Sequence, residues 1–258
     1  MKRFFWLGIV LFLSVSVFAE NRYQIAVVSI SFQEGFFGIG GSYIIQREDN
    51  IRLGGALSFA FSTDDYLLFD IYSSEFSIGL GGMIGYNFGQ IFTDLGISLG
   101  YGRVIAQERG FWFFQNSPVI RSGDTMFSGF TFGISPSVGT HINTGNMIII
   151  PRMTMPFSWF RYSGSDNFNR EFSAELSYLV GGVAFIDLIN DTSLNIFQFS
   201  LQPGLSFLFD SFYFGLSINI PIRINTEVDI SFADNSSLTE TSSGDRNISV
   251  GISFGLRF

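Results

Sequence analysis

The chain has 258 residues, no cysteine and a formal net charge of −8. The missing cysteines exclude a disulfide framework, a lipoprotein anchor and thiolate metal sites, and the acidic balance argues against nucleic acid as a partner. Apolar residues make up 47% and charged residues only 14%, where a soluble domain carries about 25% charged residues.

The amino terminus reads Met1-Lys2-Arg3, then an apolar run from Phe4 to Phe18, then Ala19 before Glu20. A basic start, a short apolar stretch and small residues at Val17 and Ala19 predict a secretory signal peptide over 1–19, with 20–258 as one mature domain. The run is short for the alternative, an uncleaved membrane anchor. Removing Lys2 and Arg3 leaves 12 basic against 22 acidic residues, a net charge of −10.

Past this segment no apolar run is long enough for a spanning helix, so the high apolar content is spread by alternation. Only helices and closed barrels keep their backbone hydrogen-bonded in lipid. The 33 Phe suit aromatic girdles on an outer surface, and the 29 Gly suit strands with one small-residue face.

In chain order, 24–32 is a weak strand candidate, and 36–46 and 51–61 alternate less cleanly than the next three. In 75–87, Phe76, Ile78, Leu80, Ile84 and Tyr86 oppose Ser77, Gly79, Gly81 and Gly85. In 91–103, Leu95, Ile97, Leu99 and Tyr101 oppose Asp94, Gly96, Ser98 and Gly100. In 126–140, Phe130, Phe132, Ile134 and Val138 oppose Gly129, Thr131, Gly133 and Ser135. Segments 147–160, 172–187 and 194–208 follow, then 212–223 with Phe212, Phe214, Leu216, Ile218, Ile220 and Ile222 on one face, then a weak run at 227–233. Period-two alternation of this kind is the signature of a half-buried strand.

Turn-forming residues fall at Asn87–Gln90, Asn143–Asn146 and Asn190–Ser193, and longer polar connections at 62–74, 104–125, 161–171 and 234–246. Bacterial barrels have an even strand number, short periplasmic turns and long outer loops. Counting 24–32 as the first strand, and splitting 212–233 at Asn225-Thr226, puts every long connection outside and gives twelve strands, with ten as the runner-up.

Chemical motifs are sparse. His141 is the one histidine, and it stands beside the Asn143–Asn146 turn. Glu48-Asp49, Asp64-Asp65 and Glu227/Asp229 lack the spacing of a calcium loop and read as solvated charge. Gly38-Ile39-Gly40-Gly41 and Gly79-Leu80-Gly81-Gly82 lie inside alternating strands, not between a strand and a helix, so a phosphate loop fails on context. The aromatic run Gly110-Phe111-Trp112-Phe113-Phe114 in the longest connection reads as a lid or as a strand continuing above the membrane. No cofactor and no catalytic group are predicted.

The final stretch alternates without a break: Ile248, Val250, Ile252, Phe254, Leu256 and Phe258 against Ser249, Gly251, Ser253, Gly255 and Arg257. An alternating last strand ending on Phe resembles the assembly signal of bacterial outer-membrane β-barrels, with Phe254, Leu256 and Phe258 carrying the likeness. The resemblance implies an all-β, closed, antiparallel up-and-down transmembrane barrel in the outer membrane, with its lipids and its assembly machinery as partners. Some barrels of this class modify lipid A with a histidine, but His141 lies on the periplasmic side in the twelve-strand layout, away from the outer leaflet. A narrow channel for small hydrophilic solutes follows from the small inward residues; the alternative is a non-conducting barrel that acts through its outer loops. The small-residue face carries Arg52, Asp94, Arg152, Glu175, Arg223 and Arg257. All but Glu175 fall toward the periplasmic end of that layout, which predicts a weak anion preference, unless the arginines pair with neighbours such as Asp94.

Phe254→Asp places a charge in the lipid-facing row at a cost of about 2–4 kcal/mol near the midplane. It is expected to abolish the heat-modifiable gel shift of the folded protein; a normal shift would contradict the assignment.

Overall fold

A computed structural model describes residues 21–33, 36–62, 65–66, 71–107, 125–164, 189–243 and 248–258. They form β1 (Asn21–Gln33), β2 (Phe36–Arg47), β3 (Ile51–Ser62), β4 (Asp65–Tyr66), β5 (Ile71–Phe88), β6 (Ile91–Gln107), β7 (Thr125–Thr140), β8 (Ile142–Asn143), β9 (Ile148–Thr154), β10 (Phe157–Gly164), β11 (Ile189–Leu208), β12 (Phe212–Phe232), β13 (Ser237–Ser243) and β14 (Ser249–Arg257).

Every pairing is antiparallel, and β14 returns to pair with β1, Phe254 opposite Val28, so the sheet closes. β9 and β10 share one position between β7 and β11 and are separated by Met155-Pro156. The break is stitched by the Met155 amide donating to the Pro136 carbonyl and the Ser200 amide donating to the Pro156 carbonyl. β13 and β14 likewise succeed one another along β12. β4 and β8 only lengthen hairpins. The ring therefore has ten strands, the runner-up count.

Two features separate ten from twelve. The expected break at Asn225-Thr226 is absent, because β12 runs unbroken for 21 residues. The candidate strand 172–187 lies outside the described residues, and the ring closes without it because both edges of β10 are taken, by β7 and β11. The expected strand at 24–32 is β1.

Both described termini, and the connections 48–50, 89–90, 141–147 and 209–211, lie at one end. Gly89 and Gly145 adopt φ of 85° and 95° there, conformations that tight turns require of glycine. The strand ends that flank 34–35, 63–70, 108–124, 165–188 and 233–236 lie at the other end. All the long ones thus share a side, which is the outer side of a bacterial barrel.

The outward row between these ends is apolar: Leu80 is 64% and Phe130 73% exposed. Such exposure over a closed wall requires a lipid surrounding. Aromatic pairs bound the belt, Phe32–Phe37, Phe61–Phe76 and Tyr101–Phe130 toward the loop end and Tyr86–Phe88 toward the turn end. Above the belt the polarity inverts. On β10–β12 the inner face buries Tyr162, Leu194, Val228 and Ile230, packed with Phe127 of β7, while the outer face carries Arg161, Asn195, Glu227 and Asp229. That is the pattern of a sheet in water, so this part of the wall rises out of the bilayer.

An epitope tag inserted after Gly164 is expected to be labelled by antibody on intact cells, and one after Gly145 only after the outer membrane is breached. Labelling of the Gly145 tag on intact cells would invert the orientation.

Candidate functional site

Alternation makes Phe92 an inward residue, in phase with Asp94, Gly96 and Ser98 on β6. It is the one aromatic in that small-residue row. Glycine on the neighbouring strand makes room for it: a Cβ on Gly139 would sit 2.4 Å from the Phe92 ring. The same device serves Asp94, since a Cβ on Gly85 would fall 2.1 Å from its carboxylate.

With those gaps open, side chains reach across intervening strands. Arg52 of β3 passes over Gly85 of β5, and its Nε meets Asp94 Oδ1 at 2.9 Å. Arg152 of β9 approaches the other carboxylate oxygen at 3.7 Å from the far side of β7. It also donates from Nε and Nη2 to Ser137 Oγ at 3.1 and 2.9 Å. The Arg52 guanidinium lies 3.9 Å from the centre of the Phe92 ring. Arg52 and Asp94 are sealed, with side chains 6% and 0% exposed, whereas Arg152 keeps 33%. Two guanidinium groups meet one carboxylate, so the group carries one excess positive charge.

His141, in the connection between β7 and β8, rests its ring 4.9 Å from Phe92, and its amide donates to the Gln90 carbonyl. Burial, reinforced by the Arg52 charge, pushes its pKa down to about 4, so it is neutral at pH 7 and adds no charge to this group.

An apolar cluster completes the layer: Ile25 and Val27 of β1, Phe92 of β6, Ile150 of β9 and Leu208 of β11, joined by Ile148 and Tyr213. Phe92 and Leu208 are each 1% exposed. Gln46 of β2, Arg52 of β3 and Ser137 of β7 are buried at the same level. A water-filled pore would wet at least one wall. Here β1, β2, β3, β6, β7, β9 and β11 all present inward side chains that are out of reach of solvent. The turn end of the lumen is a packed floor.

Above the floor lies a cavity of about 420 Å³. Its walls are small and polar, with Ser98 and Ser135 on one side, Ser217 and Ser253 on the other, and Thr154 and Gln202 between. Arg152 and Tyr213 form its base, with the Tyr213 hydroxyl 2.8 Å from Ser206 Oγ.

Of the six charges expected in the lumen, the structure brings Arg52, Asp94 and Arg152 together. Arg257 is inward near the floor, opposite Ile25. Arg223 is elsewhere. A register shift between Phe199 and Ser200 pairs them with Arg223 and Pro221, which leaves Ile222 as a bulge and Ile222 and Arg223 both exposed on the outer face. There the Arg223 Nε donates to Asn225 Oδ1. Because β12 rises from its turn without interruption, Arg223 also sits well above the turn end, not at it. Glu175 lies outside the described residues, as does the aromatic run 110–114. Phe254, Leu256 and Phe258 all point outward, with Phe254 5.4 Å from Phe214.

Two of the three acidic clusters have local partners, and Asp64 of the third lies outside the described residues. Asp49 pairs with Arg47 at 3.2 Å, and Asp229 accepts from Asn195 Nδ2 and Thr239 Oγ1. Among the described residues no group of acidic or histidine side chains is arranged to hold a metal ion. The glycine runs at 38–41 and 79–82 lie within β2 and β5.

No family model and no curated protein sequence matches the chain. Solved structures do. The outer membrane protease OmpT from Escherichia coli aligns with 93% of this chain and 97% of its own at 9% identity, with a TM-score of 0.50. The translocator domain of the autotransporter NalP from Neisseria meningitidis aligns with 96% of this chain and 92% of its own at 13% identity, with a TM-score of 0.49. The chain has the fold of the outer-membrane β-barrels. That fold, with the apolar belt and aromatic girdles, places it across the bacterial outer membrane in contact with its lipids.

Asp94→Asn strands the buried Arg52 guanidinium, and loss of a buried partner costs about 3–5 kcal/mol. Urea titration of Trp fluorescence in lipid vesicles is expected to show that loss, and the Arg52→Gln, Asp94→Asn double variant a smaller one; equal stability of the wild type and Asp94→Asn would contradict the pairing.

Proposed function

We propose that the protein is a closed-lumen outer-membrane barrel that works from its cell-surface side and does not conduct solutes across the membrane. The observation that carries this reading is the floor, where inward side chains of β1, β2, β3, β6, β7, β9 and β11 are buried. Small inward residues, which suggest a channel in the sequence, lie above that floor and line a blind cup. The projecting part of β11, β12 and β13 offers a polar outer surface beyond the bilayer, suited to contact with other molecules. His141 is packed at the turn end, opposite the loops, which supports a non-enzymatic reading. The outward Phe254, Leu256 and Phe258 on the strand that closes the ring support a role as the signal read by the assembly machinery.

A channel reading retains one supporting observation, the two arginines to one aspartate at the floor. If the floor opened, that excess would favour anions.

Planar-bilayer recording distinguishes the two. The native protein is expected to be silent over many insertions, while Phe92→Ala combined with Leu208→Ala, which removes large side chains from the floor, is expected to give discrete steps. Steps from the native protein, with anion preference in a salt gradient, would establish the channel instead.

A further inference from the structure

The cup above the floor supports a more specific assignment, which rests on the closed-lumen reading above. We propose that it binds a small hydroxyl-rich anion of the sugar-acid type, with Arg152 holding the carboxylate.

Charge comes first. Asp94 is shared by Arg52 and Arg152, and Arg52 is sealed beneath the floor. Arg152 is held in place by Ser137 and Asp94 yet keeps a third of its side chain exposed at the base of the cavity. The uncompensated positive charge is thus presented upward, by a group already ordered. Among the described residues no carboxylate side chain lines the cavity. An excess charge in a confined, low-dielectric space attracts an anion far more strongly than one in water. The planar guanidinium matches a carboxylate with paired hydrogen bonds.

The walls decide between a simple anion and a larger one. Ser98 and Ser135 stand across the lumen from Ser217 and Ser253, and the Gln202 amide lies 3.5 Å from Ser217 Oγ. A ring of hydroxyls that can each donate or accept matches the hydroxyls of a sugar, which otherwise lose their water on entry. The volume of about 420 Å³ falls in the range of small-ligand sites, far above what an inorganic anion fills.

Calorimetric titration of the full protein in nanodiscs, with glucuronate, glucose and acetate as probes, tests this. Glucuronate is expected to bind about tenfold or more tightly than either glucose or acetate, one lacking the charge and the other the hydroxyls. Arg152→Gln is expected to lower glucuronate affinity about tenfold while Asp94 keeps Arg52 as its partner. Should that variant fail to fold, Ser217→Leu, which fills the cup away from the ion group, is expected to abolish binding while keeping the heat-modifiable shift. No glucuronate binding, binding equal to that of glucose or acetate, or full binding by Ser217→Leu would overturn the assignment. Bilayer recording separates the two claims: a silent protein that binds no glucuronate loses only this assignment, and a conducting one that binds it loses only the closed lumen.

Discussion

In hydrocarbon every backbone amide and carbonyl needs a partner within the protein, and this requirement governs the whole molecule. It is met when β14 folds back on β1 over the register from Ile25 opposite Arg257 to Phe32 opposite Val250. Once the ring is closed, the outer row has only lipid to face and the inner row only the lumen. A ten-strand ring is narrow enough for side chains from different strands to meet inside it. The chain uses this most fully at the turn end. Phe92 and Asp94 lean over Gly139 and Gly85, and the lumen fills from wall to wall; a few residues higher, serine and glycine leave it open.

Burying Arg52, Asp94 and Arg152 together is costly, because each charge loses water. A hydrophobic floor would close the lumen equally well. The ion group instead provides a cation at the base of the cup and fixes its position, since Arg152 is held by Ser137 and Asp94 and not left to sample rotamers. The floor is thus both the closure of the barrel and the charged surface of the space above it.

Much of this architecture is legible in the sequence. The faces of β5, β6, β7 and β14 follow directly from alternation, and the side on which the long connections lie follows from counting 24–32 as a strand. What alternation cannot provide is the partner across the lumen. Arg52 and Asp94 are 42 residues apart, and nothing local in either strand names the other. Phe92 is itself a signal, an aromatic in a row of Asp, Gly and Ser, but its meaning depends on Gly139 one strand away. The expected break at Asn225-Thr226 is absent for a related reason. Polar residues there have the look of a turn, but they lie above the membrane, where the outer face of β12 meets water and its inner face, Thr226, Val228 and Ile230, is buried. The bulge at Ile222, next to Pro221, then moved Arg223 to the outer face, which a strict period of two cannot anticipate.

Nuclear Overhauser contacts in nanodiscs report on the packed floor itself. With methyl-labelled Ile, Leu and Val and a protonated Phe92, one connected network is expected at the turn end, running from the Phe92 ring through Ile150 and Leu208 to Ile25 and Val27, with no contact to water. Contacts from Ile25, Val27 or Leu208 to water, with none joining the opposing walls, would show a wet lumen and contradict it.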